Sequence, residues 1–261
     1  MKYIYRLIVA ALFVTVSATS FYSCETVEME LLASPNALSS DQADPDLLLN
    51  SIQLSYRGSQ RTFSNNSGDL GRISYMGGRQ YLDNYGDGTL NGAWNSFYSN
   101  NQPNLLALEQ ISEANPDRDL SYHLGVAKTL QAHTLMQLVD YLGDIPWSEA
   151  NNSAEFPKPS VDDDASVYDA AIAYLSEAAG HFASGAGIGT GTDFFYDGDA
   201  GKWSKLVKTL QMRANLTVGN YAAVASATGV IETTADDFQF DYGTNVLSPD
   251  NRHPAYALDY D

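Results

Sequence analysis

One cysteine, Cys24, and 4 histidines are all the thiol and imidazole chemistry this sequence holds. A lone thiol excludes an internal disulfide framework and a cysteine-based zinc site. Basic residues are scarce, with 14 Lys+Arg against 32 Asp+Glu and a net charge of −18. Such a chain repels phosphate, which excludes sequence-independent binding to nucleic acid. Long apolar runs are missing too. The run at residues 7–16 has ten residues, about half of what a bilayer-spanning helix needs. The 20 Gly and 9 Pro follow no period, so a collagen-like or low-complexity chain is excluded. What is present is apolar material, 44% hydrophobic and 11% aromatic over 261 residues. That suffices for a sizeable core and excludes wholesale disorder despite the charge.

The N-terminus reads as an address followed by an anchor. Lys2 and Arg6 precede the apolar run, and Ser17, Ala18, Thr19 and Ser20 are small. This is signal-peptide architecture. Cys24 stands just beyond it, in the position of a bacterial lipoprotein cysteine that is acylated after cleavage. Residues 1–23 are then the signal peptide, and the mature chain attaches to a membrane through lipid, each buried CH₂ adding about 0.8 kcal/mol. Glu25, Glu28 and Glu30 follow directly and resemble an acidic surface-export signal. Residues 24–44 read as an acidic tether that stands off from anionic lipid.

The remainder, residues 45–261, reads as one mostly α domain. Asp44 and Pro45 have N-cap and first-turn chemistry, opening a helix through Leu47, Leu48, Ile52 and Tyr56. Residues 62–92, rich in Gly, Asn, Tyr and Asp, have no steady period and are expected to be mostly loop with some short helix. Residues 94–113 read as helix, kinked or split by Pro103. Residues 118–142 give an amphipathic pattern, with Leu120, Leu124, Ala127, Leu135, Leu138 and Leu142 on one face. Asp162, Asp163 and Asp164 put acid at the start of the next helix, which carries Tyr168, Ala171, Leu175, Ala178 and Phe182 in register. Residues 184–201 read as loop, residues 202–218 as a further helix on Trp203, Val207, Leu210 and Ala214, and the text from Ile231 onward as loop. Small residues at the expected contacts suggest tetratricopeptide-like pairs, although no strict 34-residue repeat is visible.

Motifs that would signal covalent chemistry are thin. The glycines at 185, 187, 189 and 191 follow a helix rather than a strand, with no Gly-Lys-Ser/Thr after them, so they read as flexible loop rather than phosphate cradle. Asp83, Asp87, Asp197 and Asp199 give fragments of calcium-loop spacing, but Trp94 stands where the closing Glu would be. A structural calcium among these acids is left open, and no other cofactor is expected. His123 and His133 do not share a helix face, which argues against a metal pair. No serine nucleophile elbow occurs. A surface glycosidase could be drawn from any two of the 32 acids, which makes that pairing uninformative. Tyr75, Arg79, Tyr81, Asp83 and Tyr85 cluster in the irregular stretch. Aromatic faces stack on sugar rings while Arg and Asp bind hydroxyls, so these five are the candidate ligand-binding residues.

The run Val139-Asp140-Tyr141-Leu142-Gly143-Asp144-Ile145-Pro146-Trp147-Ser148-Glu149-Ala150 resembles the "GDIPY-x-EA" turn of the SusD/RagB family of nutrient-binding outer-membrane lipoproteins. Val167-Tyr168-Asp169-Ala170-Ala171-Ile172 is similar to the family's following helix. Tyr196-Asp197-Gly198-Asp199, Lys202-Trp203, Leu210 and Arg213 resemble its "Y-x-GD-x-x-KW … SL-x-x-R" helix, and Trp94, Tyr98 and Asn104 its "W-x-x-x-Y … N" helix. The resemblance implies a SusD-like helical fold and capture of an oligosaccharide or other nutrient. It also implies delivery to a SusC-like TonB-dependent transporter, with no catalysis. Family members are longer, which implies a domain incomplete at its C-terminus, with residues 247–254 near the start of the family's second half. The motif residues themselves read as structural, with Trp203 in the core and Arg213 bonded to an acid or carbonyl at its edge. A helical-repeat adaptor with a protein partner and no small ligand is the remaining alternative, beside the glycosidase.

Overall fold

The computed structural model describes residues 2–3, 43–73, 86–184, 187, 191–247 and 251–259. The chain divides into two units, Met1–Leu38 and Ser39–Asp261, and every helix below lies in the second. Among the described residues there is no strand, only an isolated bridge between Ile145 and Asp162.

Helix α1, Pro45–Leu70, begins as its sequence directs, with the Asp44 carboxylate accepting from the Asp46 amide at 3.0 Å and Pro45 in the first turn. Leu49, Ile52, Tyr56, Ser59 and Phe63 are buried at alternating spacings of three and four. Leu47 points out instead and is 67% exposed. The helix continues well into the stretch expected as loop. Its last turns lack apolar period and are held from outside. Phe63 stacks on Tyr141 at 5.2 Å, and the Tyr141 hydroxyl donates to the Phe63 carbonyl and also bonds Ser67.

Helix α2, Asn91–Ser96, runs through a π turn, Phe97–Asn101, into α3, Gln102–Ala114. The break expected at Pro103 falls just before it. The Gln102 amide reaches back five residues to the Phe97 carbonyl, and Pro103 then sits in the first turn of α3, where no N–H is needed. α1 packs antiparallel to this rod. Asn66 meets Thr89, Thr62 faces Gly92, Gly58 faces Ser96, and Ser51 accepts from Asn104.

Helix α4, Ser121–Leu142, is buried on nearly all sides rather than on one face, from Tyr122 through Val139. A helix surrounded by neighbours needs no polar face. Leu142, at its end, is 43% exposed, against the expected face. α5, Asp164–Ala183, is capped by the Asp163 carboxylate on the Ala165 amide and buries Tyr168, Ala171, Leu175, Ala178 and Phe182 as expected. α6, Ala200–Thr217, is capped by Asp199 on the Lys202 amide, and Trp203, Leu206, Val207, Leu210 and Ala214 face inward. Residues at the start of α4 meet those at the end of α5, as Tyr122 meets Phe182, and Tyr168 at the start of α5 bonds Asp140 near the end of α4. The pair is antiparallel, and Phe182 against Trp203 makes α5 and α6 antiparallel as well. By contrast α1 and α4 run parallel. Asp46–His123, Tyr56–His133 and Gln60–Gln137 are joined at one constant offset of 77 residues. Antiparallel hairpins whose first helices run parallel are a tetratricopeptide-like stack, with the core between α1, α4, α5 and α6.

Beyond α6 come α7, Tyr221–Ala225, and then a 3₁₀ turn at Thr234–Asp236 and α8, Pro254–Asp259, the last two within text expected as loop.

Candidate functional site

The motif segments act as struts. After α4, Gly143 adopts φ +74°, which a side chain would resist. Asp144 then accepts from the Asp164 amide, and Asp162 accepts from the Trp147 and Ser148 amides and the Ser148 hydroxyl at 2.6–3.0 Å. These bonds hold the Asp162 carboxyl below its ordinary range, the Ser148 hydroxyl contributing most. Tyr98 donates to the Pro146 carbonyl, so the turn is tied to the π turn as well. Asp193 does comparable work before α6. It is 4% exposed and accepts from the Tyr122 hydroxyl, the Trp203 indole N–H and the amides of Phe195, Tyr196 and Gly198. Trp203 is fully buried, and Arg213 lies 3.6 Å from Asp140, both as the sequence suggested.

These struts place an aromatic segment against α1. Asp236 is gripped by Lys205 at 2.8 Å, and its carbonyl accepts from Tyr196. Phe238 then stacks on Phe195 with centroids 4.4 Å apart. Residues 238–242 have no regular secondary structure, and Phe240 also packs on Phe195 and meets Tyr242, so Phe238, Phe240 and Tyr242 gather on one side. Between that side and α1 lies a cleft of about 600 Å³. Its floor is Tyr56, His133 and Phe195, one wall is Arg57, Gln60, Arg61 and Ser64, and the other is Phe240 and Tyr242. The Arg57 guanidinium carbon is 5.5 Å from the ring centres of both Phe240 and Tyr242. A second cleft of about 570 Å³ adjoins it, sharing Tyr242 and His253.

On the floor, the Tyr56 hydroxyl and His133 Nδ1 are 2.7 Å apart. Burial pushes the Tyr56 phenol up, and it pushes the His133 imidazole down to about 3, with the Arg213 charge adding to that. Both are neutral at pH 7, so the pair supplies no activated nucleophile. Among the described residues the lining carries no carboxylate, so the cleft offers charge and ring contact rather than the two acids of glycoside hydrolysis.

Of the residues singled out in the sequence, Cys24, Tyr75, Arg79, Tyr81, Asp83 and Tyr85 lie outside the described residues. Asp197 and Asp199 are occupied within the protein, with the Gly191 amide and the α6 N-terminus. Among the described residues, the group able to offer three oxygens to a cation is another one, Asp144, Asp163 and Asp164, mutually within 4.8 Å and all exposed. Two of these already accept backbone amides. His123 and His133 are apart, paired with Asp46 and Tyr56. The cleft residues were missed, although the alternation Phe238-Gln239-Phe240-Asp241-Tyr242 is a period-two signal in the sequence.

A family model described as "starch-binding associating with outer membrane", SusD-like, matches residues 35–253. The chain belongs to the SusD-like family. Its fold resembles a SusD/RagB family protein of Bacteroides thetaiotaomicron, with TM-score 0.66, 23% identity, 79% of this chain covered and 47% of that one. It also resembles a SusD homolog of Bacteroides uniformis, with TM-score 0.62, 22% identity, and 77% and 45% covered. A solved chitin-binding protein is similar at TM-score 0.57 and 25% identity, over 75% of this chain and 45% of its own. No curated protein sequence matches. The chain spans less than half the length of each of these three solved SusD-like or chitin-binding relatives. The SusD-like family is described by binding, not by catalysis, and by association with the outer membrane.

Proposed function

We propose that this SusD-like chain is a glycan-binding lipoprotein of the cell surface that hands its ligand to a TonB-dependent, SusC-type outer-membrane barrel, without covalent chemistry. The match to the starch-binding, outer-membrane family over residues 35–253 carries the reading. In it, residues 1–23 are a signal peptide, Cys24 bears the lipid, residues 24–44 tether the helical domain, and residues 45–261 form that domain. Tyr75, Arg79, Tyr81, Asp83 and Tyr85 contact ligand, with rings supplying stacking and Arg79 and Asp83 supplying hydroxyl contacts. The similar chitin-binding protein favours a glycan over other nutrients.

Gentle detergent extraction of the native membrane, with this protein as bait, tests the partnership. Recovery of a large β-barrel transporter is expected. Recovery of the protein alone, in good yield from the outer membrane, overturns the delivery role. Cys24→Ala is expected to release the chain from the membrane fraction. Labelled oligosaccharides incubated with the protein should be retained and remain uncut.

A further inference from the structure

The cleft between α1 and residues 238–242 reverses the charge of the chain around it. Acids outnumber bases 32 to 14 overall, yet among the described residues the lining holds two guanidinium groups, Arg57 and Arg61, and no carboxylate. The two arginines are four residues apart on one helix, where like charges repel. Neither takes part in an ion pair among the described residues. Lys128, Lys205 and Arg213, by contrast, each have a carboxylate partner. A pair of repelling cations in a concave site is stabilised by an anion that enters from outside.

The geometry narrows the kind of anion. Arg57 lies against Phe240 and Tyr242, 5.5 Å from each ring centre, and such contact orients a planar guanidinium. An oriented guanidinium favours a two-oxygen group, which it grips with two parallel hydrogen bonds. Phe240 and Tyr242 are half-buried, so part of each ring remains open to the apolar face of a sugar. Ser64 adds a hydroxyl on the same helix, while the Gln60 amide beside it is held by Gln137. The volume, about 600 Å³, falls within the range of about 300–1,000 Å³ usual for small-ligand sites. A neutral sugar would use the rings and leave both charges unpaired.

We propose that this cleft binds the acidic sugar units of an anionic oligosaccharide. Arg57 holds the anionic group, Arg61 adds charge at the mouth, and the Phe240 and Tyr242 rings contact the sugar. The inference rests on the glycan-binding reading above and adds a charge class and a site to it.

Calorimetric titration of the full chain in detergent tests it with three probes: an oligogalacturonate, a sulfated but carboxylate-free galactan oligosaccharide, and maltoheptaose. An acidic probe is expected to bind and maltoheptaose not to bind at this cleft. Which acidic probe binds tells carboxylate from sulfate. Arg57→Gln and Arg61→Gln should each weaken binding by about tenfold or more. Added salt should weaken it as well. Arg61 is exposed, so its variant reports on binding and not on folding. Equal affinity for acidic and neutral probes, or acidic binding untouched by both variants, overturns the inference and leaves the general glycan-binding reading standing. Failure of every probe to bind overturns both.

Discussion

Gly125 and Gly180 are both helical glycines in neighbouring helices, and their surroundings give them opposite roles. A Cβ on Gly125 would lie 2.8–3.1 Å from three carbons of the Phe182 ring. That ring cannot step aside, because it stacks on Trp203 at 6.0 Å and meets Tyr122 edge-on at 5.7 Å. A Cβ on Gly180 would meet nothing within 4 Å. Helix propensity favours alanine at either position by about 1 kcal/mol. Overpacking a tight contact costs about 1–3 kcal/mol. Gly125→Ala is therefore expected to destabilise and Gly180→Ala to stabilise by about 0.5–1 kcal/mol, read by urea unfolding. A shift of the same sign in both would show that Phe182 yields. The glycines and Asp193 also mark the limit of single-residue reading. Asp193 is one acid among 32 in the sequence, but only the folded chain brings Tyr122 and Trp203 onto its carboxylate.

Helices α5 and α6 were legible because each presents one apolar stripe, and the stripe is what the stack buries. The end of α1 was not, since residues 64–69 offer no apolar side chain and their helix depends on Tyr141 of a distant segment. Lys128 shows the same dependence between elements. Its side chain is 7% exposed on α4 and reaches Glu109 on α3 and Glu177 on α5. Burial pulls the ammonium pKa down, but hydrogen bonds and charge from the two glutamates outweigh it and leave the pKa raised. The partners differ in exposure, with Glu109 at 28% and Glu177 at 53%. Losing the lysine lets both carboxylates turn to water, whereas losing both carboxylates strands a buried charge. Lys128→Met should thus change stability by less than about 1 kcal/mol, while Glu109→Gln with Glu177→Gln should cost more, about 2–4 kcal/mol. Thermal unfolding of the two variants orders them. The reverse order would mean that the ammonium reaches solvent in the folded protein.

For the molecule as a whole, the outline of the stack follows from helix periodicity, but the cleft does not. Its walls are α1 and residues 238–242, far apart in sequence and brought together by Phe195, Tyr196 and Trp203 and by direct contacts of Tyr56 and Arg57 with Phe238, Phe240 and Tyr242. The same interior makes stability respond to pH in a definite direction. His133 keeps its proton off until about pH 3 in the folded state, against an ordinary value of 6.5, and burial lowers His181 as well. Above pH 6.5 folded and unfolded chains both carry these rings neutral, and the difference vanishes. Below it the unfolded chain takes protons that the folded chain refuses, so stability falls. Asp119, Asp162 and Asp236 have lowered values, and their loss comes only as pH drops through the range beneath 3.8. Asp140 is raised by burial and works in the opposite sense in acid. Self-repulsion from the net charge of −18 is also relieved by acid, but chiefly where carboxylates protonate. Between pH 6.5 and about 4.5 the histidines therefore decide. The melting temperature should fall across that window, and His133→Gln should flatten the fall whatever it does to the absolute value. An unchanged slope in the variant would mean that the His133 ring reaches water in the folded state, and that the cleft floor is wetter than the Tyr56–His133 contact implies.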